Sequence, residues 1–279
     1  MTATATSAPA SSPLAFGPLL REWRQRRRLS QLDLAMDADI STRHLSYVET
    51  GRATPSRAMV LHLAEQLEVP LRERNALLTA AGYAPLYPER TLDDPALQVA
   101  KQMVERLLKA HEPHPALAVD RHWNMLAHNQ QVLLLMQGIA PELTQPPINV
   151  MRVSLHPQGV APRIVNLLGW REHLFERLRR QIAISADPVL VALLQELQAY
   201  PVPDGADAHE HIPANAVAVP LQLRTPAGVL SFLSTTTVFG TPVDVTLSEL
   251  ALETFFPSDD FTTQAMRHMS DGLSAASQA

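Results

Sequence analysis

Apolar positions recur every three to four residues through the first third of the chain. In FGPLLREWRQRRR, Phe16, Leu19, Leu20 and Trp23 stand at i, i+3, i+4 and i+7, one stripe of an amphipathic helix. Ser30 suits the N-cap of a second helix, running to about Ala38 with Leu34, Ala35 and Ala38 inward. Asp39 falls at the following turn, where a positive φ is expected. Glycine would cost less there, but Asp tolerates the left-handed region better than most residues. Ser41 caps a third helix with Leu45 and Val48 inward, and Gly51 ends it. Thr54 to Ser56 start a fourth, with Val60, Leu63, Ala64 and Leu67 inward. Pro70 opens a fifth, closed by Gly82. The pattern predicts an all-α five-helix domain over residues 14–82.

YAPLYPERTLDDP is a proline-rich connector, followed by a helix from about Ala96 to Ala110, so residues 83–111 read as a linker and connecting helix. The pattern then changes. PALAVDRHWNMLAHN reads as two short strands around a turn at Asp120 to His122, followed by a short helix. From Ile148 to Tyr200 it is helical again, in pieces broken at Pro157, Pro162 and Pro188. AYPVPDGADAHEHIPAN reads as a loop, and AVAVPLQLRTPAGVLSFLSTTTVFG as a hairpin around TPAG. LSELALETFFP alternates, with Leu250, Leu252 and Thr254 opposite Glu249, Ala251 and Glu253. It reads as a strand, with a short helix as the alternative. Strands at both ends with helices between predict an α+β domain over residues 112–260. Residues 1–13 and 261–279 are expected as a disordered and a flexible tail, and no repeat recurs at a regular period.

Composition narrows the function classes. Apolar residues are 46% of the 279, enough for sizeable cores, and 23 prolines break the chain often. With no cysteine, disulfides and thiolate metal sites are excluded, which fits a reducing cytoplasm. The opening residues resemble no signal peptide, and no apolar run approaches the ~20 residues of a membrane span. The net charge of −5 is unevenly spread. Up to Arg90 there are 11 arginines against 9 acids, whereas the remainder carries 12 basic against 19 acidic residues. The densest basic run, Arg24 to Arg28, is by itself what a solvated helix face looks like.

The short second and third helices, joined by a tight turn, form a helix-turn-helix, whose second helix can enter a major groove. On that helix Ser41, Thr42, Arg43, Ser46 and Tyr47 face outward. Arg43 can bond two acceptors of a guanine, and the hydroxyls can meet base edges or phosphates. Gln31, at the start of the preceding helix, is a phosphate candidate, and Arg52 and Ser56 lie where the nucleic-acid backbone would pass. An ordinary αα-hairpin with a solvated face has the same pattern.

LSQLDLA and ADISTRHLSYVETGRATPS closely resemble the xenobiotic-response-element and lambda-repressor-like family of five-helix DNA-binding domains, over about Phe16 to Ala81. The resemblance implies an ion pair between Arg24 and Glu49. That family usually has glycine where this chain has Asp39. YAPLYPERTLDDPAL, ERLLKAHEPHPALAVDRHWNMLAHN, NVMRVSLHPQGVAPRIVN and LSFLSTTTVFGTPVDVTLSELALETFFP look like regulators with an MmyB-like ligand-binding domain, over most of Tyr83 to Asp260. This resemblance implies a PAS-like domain, a small antiparallel sheet with helices over one face, enclosing an apolar pocket for a fatty-acid-like or similar small molecule.

Candidates to line such a pocket are Trp123, Met125, Leu126, Leu135, Met136, Phe175, Phe232, Leu233 and Phe239. Arg121, His122, Asn129, Arg152 and His156 are candidates to hold a head group. His209 and His211 flank Glu210, and His111 stands near His114, but neither matches the i, i+4 histidine spacing of a helical zinc site. No nucleophile elbow, phosphate loop or dinucleotide fingerprint is present. The expectation is a cytoplasmic regulator with no enzymatic activity, cofactor or metal. Its expected partners are double-stranded DNA, a small apolar ligand and a second copy of itself in a homodimer, with no membrane. Two alternatives stay open: a helix-turn-helix head fused to a metal-sensing or enzymatic domain, or to one that only dimerises.

Overall fold

The computed structural model describes residues 15–202 and 218–276. The chain divides into two units, residues 1–88 and 89–279. The first contains α1 (Phe16–Arg26), α2 (Gln31–Asp37), α3 (Thr42–Glu49), α4 (Arg57–Gln66) and α5 (Leu71–Ala80). Local chemistry sets these boundaries. The hydroxyls of Ser30, Ser41 and Ser56 accept the backbone N–H groups of Asp33, His44 and Met59. Each such cap stabilises its helix by about 1 kcal/mol. Asp39 takes φ +49° at the turn between α2 and α3, and Gly51 takes +73° after α3. Phe16, Leu20, Trp23, Leu34, Leu45, Val48, Leu63, Leu67 and Leu78 form one continuous core. The chain beyond Gly82 belongs to this unit as well. Tyr83 donates its hydroxyl to the Pro55 carbonyl, and the Asn75 amide clasps the backbone of Leu86 and Tyr87. The connector expected from residue 83 thus begins in packed structure.

The second unit contains α6 (Gln98–Ala110), β1 (Ala116–Val119), β2 (Met125–His128), α7 (Gln130–Leu135), α8 (Val150–Leu155), α9 (Leu167–Ser185) and α10 (Pro188–Ala199). It continues with β3 (Leu221–Thr225), β4 (Gly228–Val238), α11 (Val245–Glu249), β5 (Ala251–Pro257) and α12 (Asp260–Ala276). The strands form one antiparallel sheet in the order β2-β1-β5-β4-β3. Register pairs Leu117 with Glu253, Glu253 with Thr236, Ser234 with Phe255, and Leu221 with Phe232. These residues therefore share one face, since directly opposed residues of antiparallel strands point the same way. That face meets α8, α9 and α10 in the main core, which includes Met151, Leu174, Leu178, Leu193 and Phe232.

Three expectations change here. Helices cover both faces rather than one: Ala116, Ala118 and Leu252, on the reverse face, pack with Val104 and Leu108 of α6 in a second core. The helix expected as a connector is thus part of this layer. The stretch LSELALETFFP is not one strand. Asp244 accepts the N–H groups of Thr246 and Leu247 and caps α11, and β5 begins only at Ala251. The tail expected to be flexible from residue 261 is α12. Its Thr262 and Met266 are fully buried, and the Thr262 hydroxyl accepts the Ser231 N–H at 2.9 Å.

Candidate nucleic-acid interface and ligand cavity

On α3, Leu45 and Val48 are buried, Ser41 and Arg43 exposed, and Thr42, Ser46 and Tyr47 half-buried. Arg43 Nε donates to the Tyr47 hydroxyl at 3.0 Å, and its guanidinium lies 5.4 Å from the ring centroid. Arg52 approaches the same ring at 5.9 Å, and its N–H donates to the Tyr47 carbonyl. Tyr47 thus carries two guanidinium groups on the open side of the helix, a cation–π arrangement that orients both. The hydroxyls of Ser41 and Ser56 serve as cap acceptors and keep their own protons for another acceptor.

The inner support of α3 is polar and buried. Arg24 Nε and Nη2 donate to Glu49 Oε1 and Oε2 at 2.6 and 3.0 Å, while Nη1 donates to the Leu29 carbonyl. Gln31 Nε2 donates to Glu49 Oε2 at 2.7 Å. The Gln31 amide braces α2 against α3 through this bond and keeps a second N–H for another acceptor. The basic run at Arg24 to Arg28 is likewise partly structural. Arg27 donates to the carbonyls of Leu67 and Glu68, satisfying the end of α4, and Arg26 pairs with Glu22.

In the second unit a cavity of about 110 Å³ lies between the sheet and α7, α8 and α9. Trp123, Met125, Leu135 and Met136 line it, together with residues of no obvious sequence signal: Leu117, Val132, Met151, Trp170, Leu174, Leu223 and Phe255. Trp123 sits at φ +69°, rare for a bulky residue, and its indole N–H donates to Gln181 Oε1 at 2.8 Å. The Trp170 indole donates to Ser154 Oγ at 3.0 Å. Both rings are thereby held in place at the cavity wall. Ser154, Ser234, Arg177 and Glu253 are its polar members.

The remaining sequence candidates lie elsewhere. Phe175 and Phe232 are buried in the core without lining the cavity; Leu126 is exposed, Leu233 half-buried and Phe239 packed against the second core. Arg121 pairs with Asp187 and Glu249, and His122 Nε2 lies 2.8 Å from Asp187 Oδ2. Burial pushes the Asp187 carboxyl up. Hydrogen bonds from His122 and the Val189 N–H, with the charges of His122 and Arg121, outweigh that and hold it below its usual range. Asn129 ties the Ala116 N–H to the Leu108 and His114 carbonyls. Arg152 is bidentate to Glu196 at 2.7 Å, and His156 packs edge-on to Tyr200. Hydrogen bonding to Arg152 lowers the Glu196 carboxyl, whereas burial and Glu196 raise the Tyr200 hydroxyl. These polar side chains are spent on joining elements.

His111 Nε2 meets the Phe255 carbonyl at 3.0 Å, and its ring lies 5.8 Å from that of His114. Among the described residues no cluster of three His, Asp or Glu could hold a metal, and no helix is long and apolar enough to cross a membrane. His209, Glu210 and His211 lie outside the described residues.

Residues 15–77 match a helix-turn-helix domain family, and residues 100–269 match the family described as the MmyB-like transcription regulator ligand binding domain. The chain is 40% identical over 75 residues to the uncharacterized HTH-type transcriptional regulator RghRB of Bacillus subtilis (strain 168), covering 26% of this chain and 52% of that protein. It is 34% identical over 117 residues to a putative HTH-type transcriptional regulatory protein of Methanoculleus marisnigri (strain ATCC 35101 / DSM 1498 / JR1), covering 40% and 37%. The chain thus spans about half, or less, of the length of these relatives. With the second match covering well over half of the chain, the protein belongs to the MmyB-like transcription regulator family, its ligand-binding domain preceded by a helix-turn-helix domain.

Proposed function

We propose that this protein is a sequence-specific, double-stranded-DNA-binding transcription regulator whose second unit binds a small apolar effector with a fatty-acid-like chain. The observation that carries the DNA reading is the open face formed by Arg43 and Tyr47 of α3 with Arg52 just beyond it, backed by the buried Arg24–Glu49 pair and Gln31. A helix so supported presents rigid donors at the width of a major groove. Arg43 reads a base, and Arg52, Ser41 and Ser56 hold phosphates. The cavity supports an effector over a rear domain that only dimerises, since a filled core would leave an effector no place. The protein acts in the cytoplasm as a homodimer on an operator whose half-sites lie about 34 Å, or a multiple, apart. Selection of bound duplexes from a random pool tests this. Enrichment of a two-fold-symmetric sequence is expected; binding without enrichment would overturn the reading.

A further inference from the structure

The cavity wall is apolar apart from Ser154, which accepts the Trp170 indole proton, and one charged corner. There Arg177 of α9 meets Glu253 of β5, Nη1 to Oε2 at 3.0 Å and Nη2 to Oε1 at 2.7 Å. The two side chains are 21% and 5% exposed. The Thr236 hydroxyl closes the group: it donates to Glu253 Oε1 at 2.7 Å and accepts from Arg177 Nη2 at 2.8 Å. The guanidinium also lies 4.6 Å from the Trp123 ring centroid. Positive and negative charge are therefore matched at the cavity wall before any ligand arrives.

That matching decides which head group the corner tolerates. An entering carboxylate brings a second negative charge to a corner that is already neutral. It can take Arg177 away from Glu253, leaving a buried carboxylate without its cation, or it can share the remaining N–H groups of the guanidinium, which sets two carboxylates on one cation. An uncharged donor needs neither. Glu253 Oε2 receives one bond from Arg177 and retains acceptor capacity for a hydroxyl or amide proton, and the Ser234 hydroxyl, on the same sheet face, can donate or accept. We propose that the cavity selects an apolar chain bearing an uncharged hydrogen-donating head, of the alcohol or primary-amide class, and discriminates against the free carboxylate of the same chain. This rests on the ligand-binding reading above.

The test is calorimetric titration of the full chain with octanol, octanamide and octanoate. Octanol and octanamide are expected to bind at least tenfold more tightly than octanoate. In Glu253→Gln the carboxylate is replaced by a neutral amide, Arg177 loses its counter-charge, and octanoate is expected to gain at least tenfold on octanol. The wild-type comparison decides the matter even if that variant does not fold. Octanoate binding the wild-type chain as tightly as octanol would overturn the neutral-head inference and leave the ligand reading standing. An unchanged preference in a folded Glu253→Gln chain would overturn it too. No binding by any of the three would overturn both.

Discussion

Arg24 and Glu49, 25 positions apart, are joined through two hydrogen bonds of 2.6 and 3.0 Å, with both residues buried. The bond links the first helix to the end of the third, and so governs the orientation of the face that carries Arg43 and Tyr47. Removing one partner of a buried ion pair leaves the other charge stranded, which costs about 3–5 kcal/mol. Arg24→Ala or Glu49→Ala is expected to destabilise the first unit by that much in denaturant titration. The double replacement Arg24→Met with Glu49→Leu should cost much less than two single losses combined.

Gly17 places α1 against the end of α3. A Cβ at that position would stand 2.3 Å from the Glu49 carbonyl oxygen, which is backbone and cannot swing aside. Gly17→Ala is expected to destabilise by about 1–3 kcal/mol, as overpacking does, despite the better helix propensity of alanine. Thermal unfolding checks it; a rise in midpoint would contradict the close packing.

Asp39 occupies the left-handed region at φ +49° and is exposed. Glycine carries no Cβ penalty there. Asp39→Gly is expected to leave the chain as stable or more stable, and Asp39→Ala to cost about 1 kcal/mol. Chemical denaturation of the three proteins side by side would show the order.

Arg43 and Arg52 share Tyr47 but face DNA differently in the proposed complex. Arg43→Ala is expected to lose about 1–3 kcal/mol of binding and relax preference at one base pair. Arg52→Ala should weaken all sequences alike and reduce the salt dependence by about one unit of log–log slope. Titrations of matched and single-mismatch duplexes at several salt concentrations separate the two roles.

His173 and His114 predict an acid-sensitive second unit. Burial, then the charge of Arg177, lowers the His173 pKa; burial, then His111 and Arg267, lowers that of His114. His173 Nε2 and His114 Nδ1 are also buried without a hydrogen-bond partner. The folded chain therefore binds fewer protons than the unfolded one from about pH 6.5 down to the lowered folded-state values. The stability these groups contribute is fully present above pH 6.5 and is lost as pH falls from there through the folded-state values. The melting temperature is expected to drop between pH 7.5 and 5.5. His173→Phe, which keeps a ring stacked on Trp170, should flatten the drop. An unchanged slope in the variant would remove His173 from the account.

The sequence by itself determined the five helices of the first unit, because their signals are local. Ser30, Ser41 and Ser56 cap within three residues, Asp39 and Gly51 mark turns by their own φ preferences, and a 3.6-residue period needs no distant partner. Trp123, Met125, Leu135 and Met136 were legible as candidate lining for a similar reason, being apolar residues near the predicted strands. The polar corner was not. Arg177 reads as one arginine in a charged helix, and Glu253 as the solvated side of an alternating strand. Only the sheet register, which sets Glu253 opposite Thr236 and Leu117, and the helix packed over it, bring together side chains 76 positions apart. Gln31 shows the same. Its place at the start of α2 suggests a phosphate contact, and nothing there announces the bond its amide makes to a buried carboxylate 18 positions away. Which donor meets which acceptor depends on what the fold has removed from water, and the order of residues does not contain that until the chain has closed on itself.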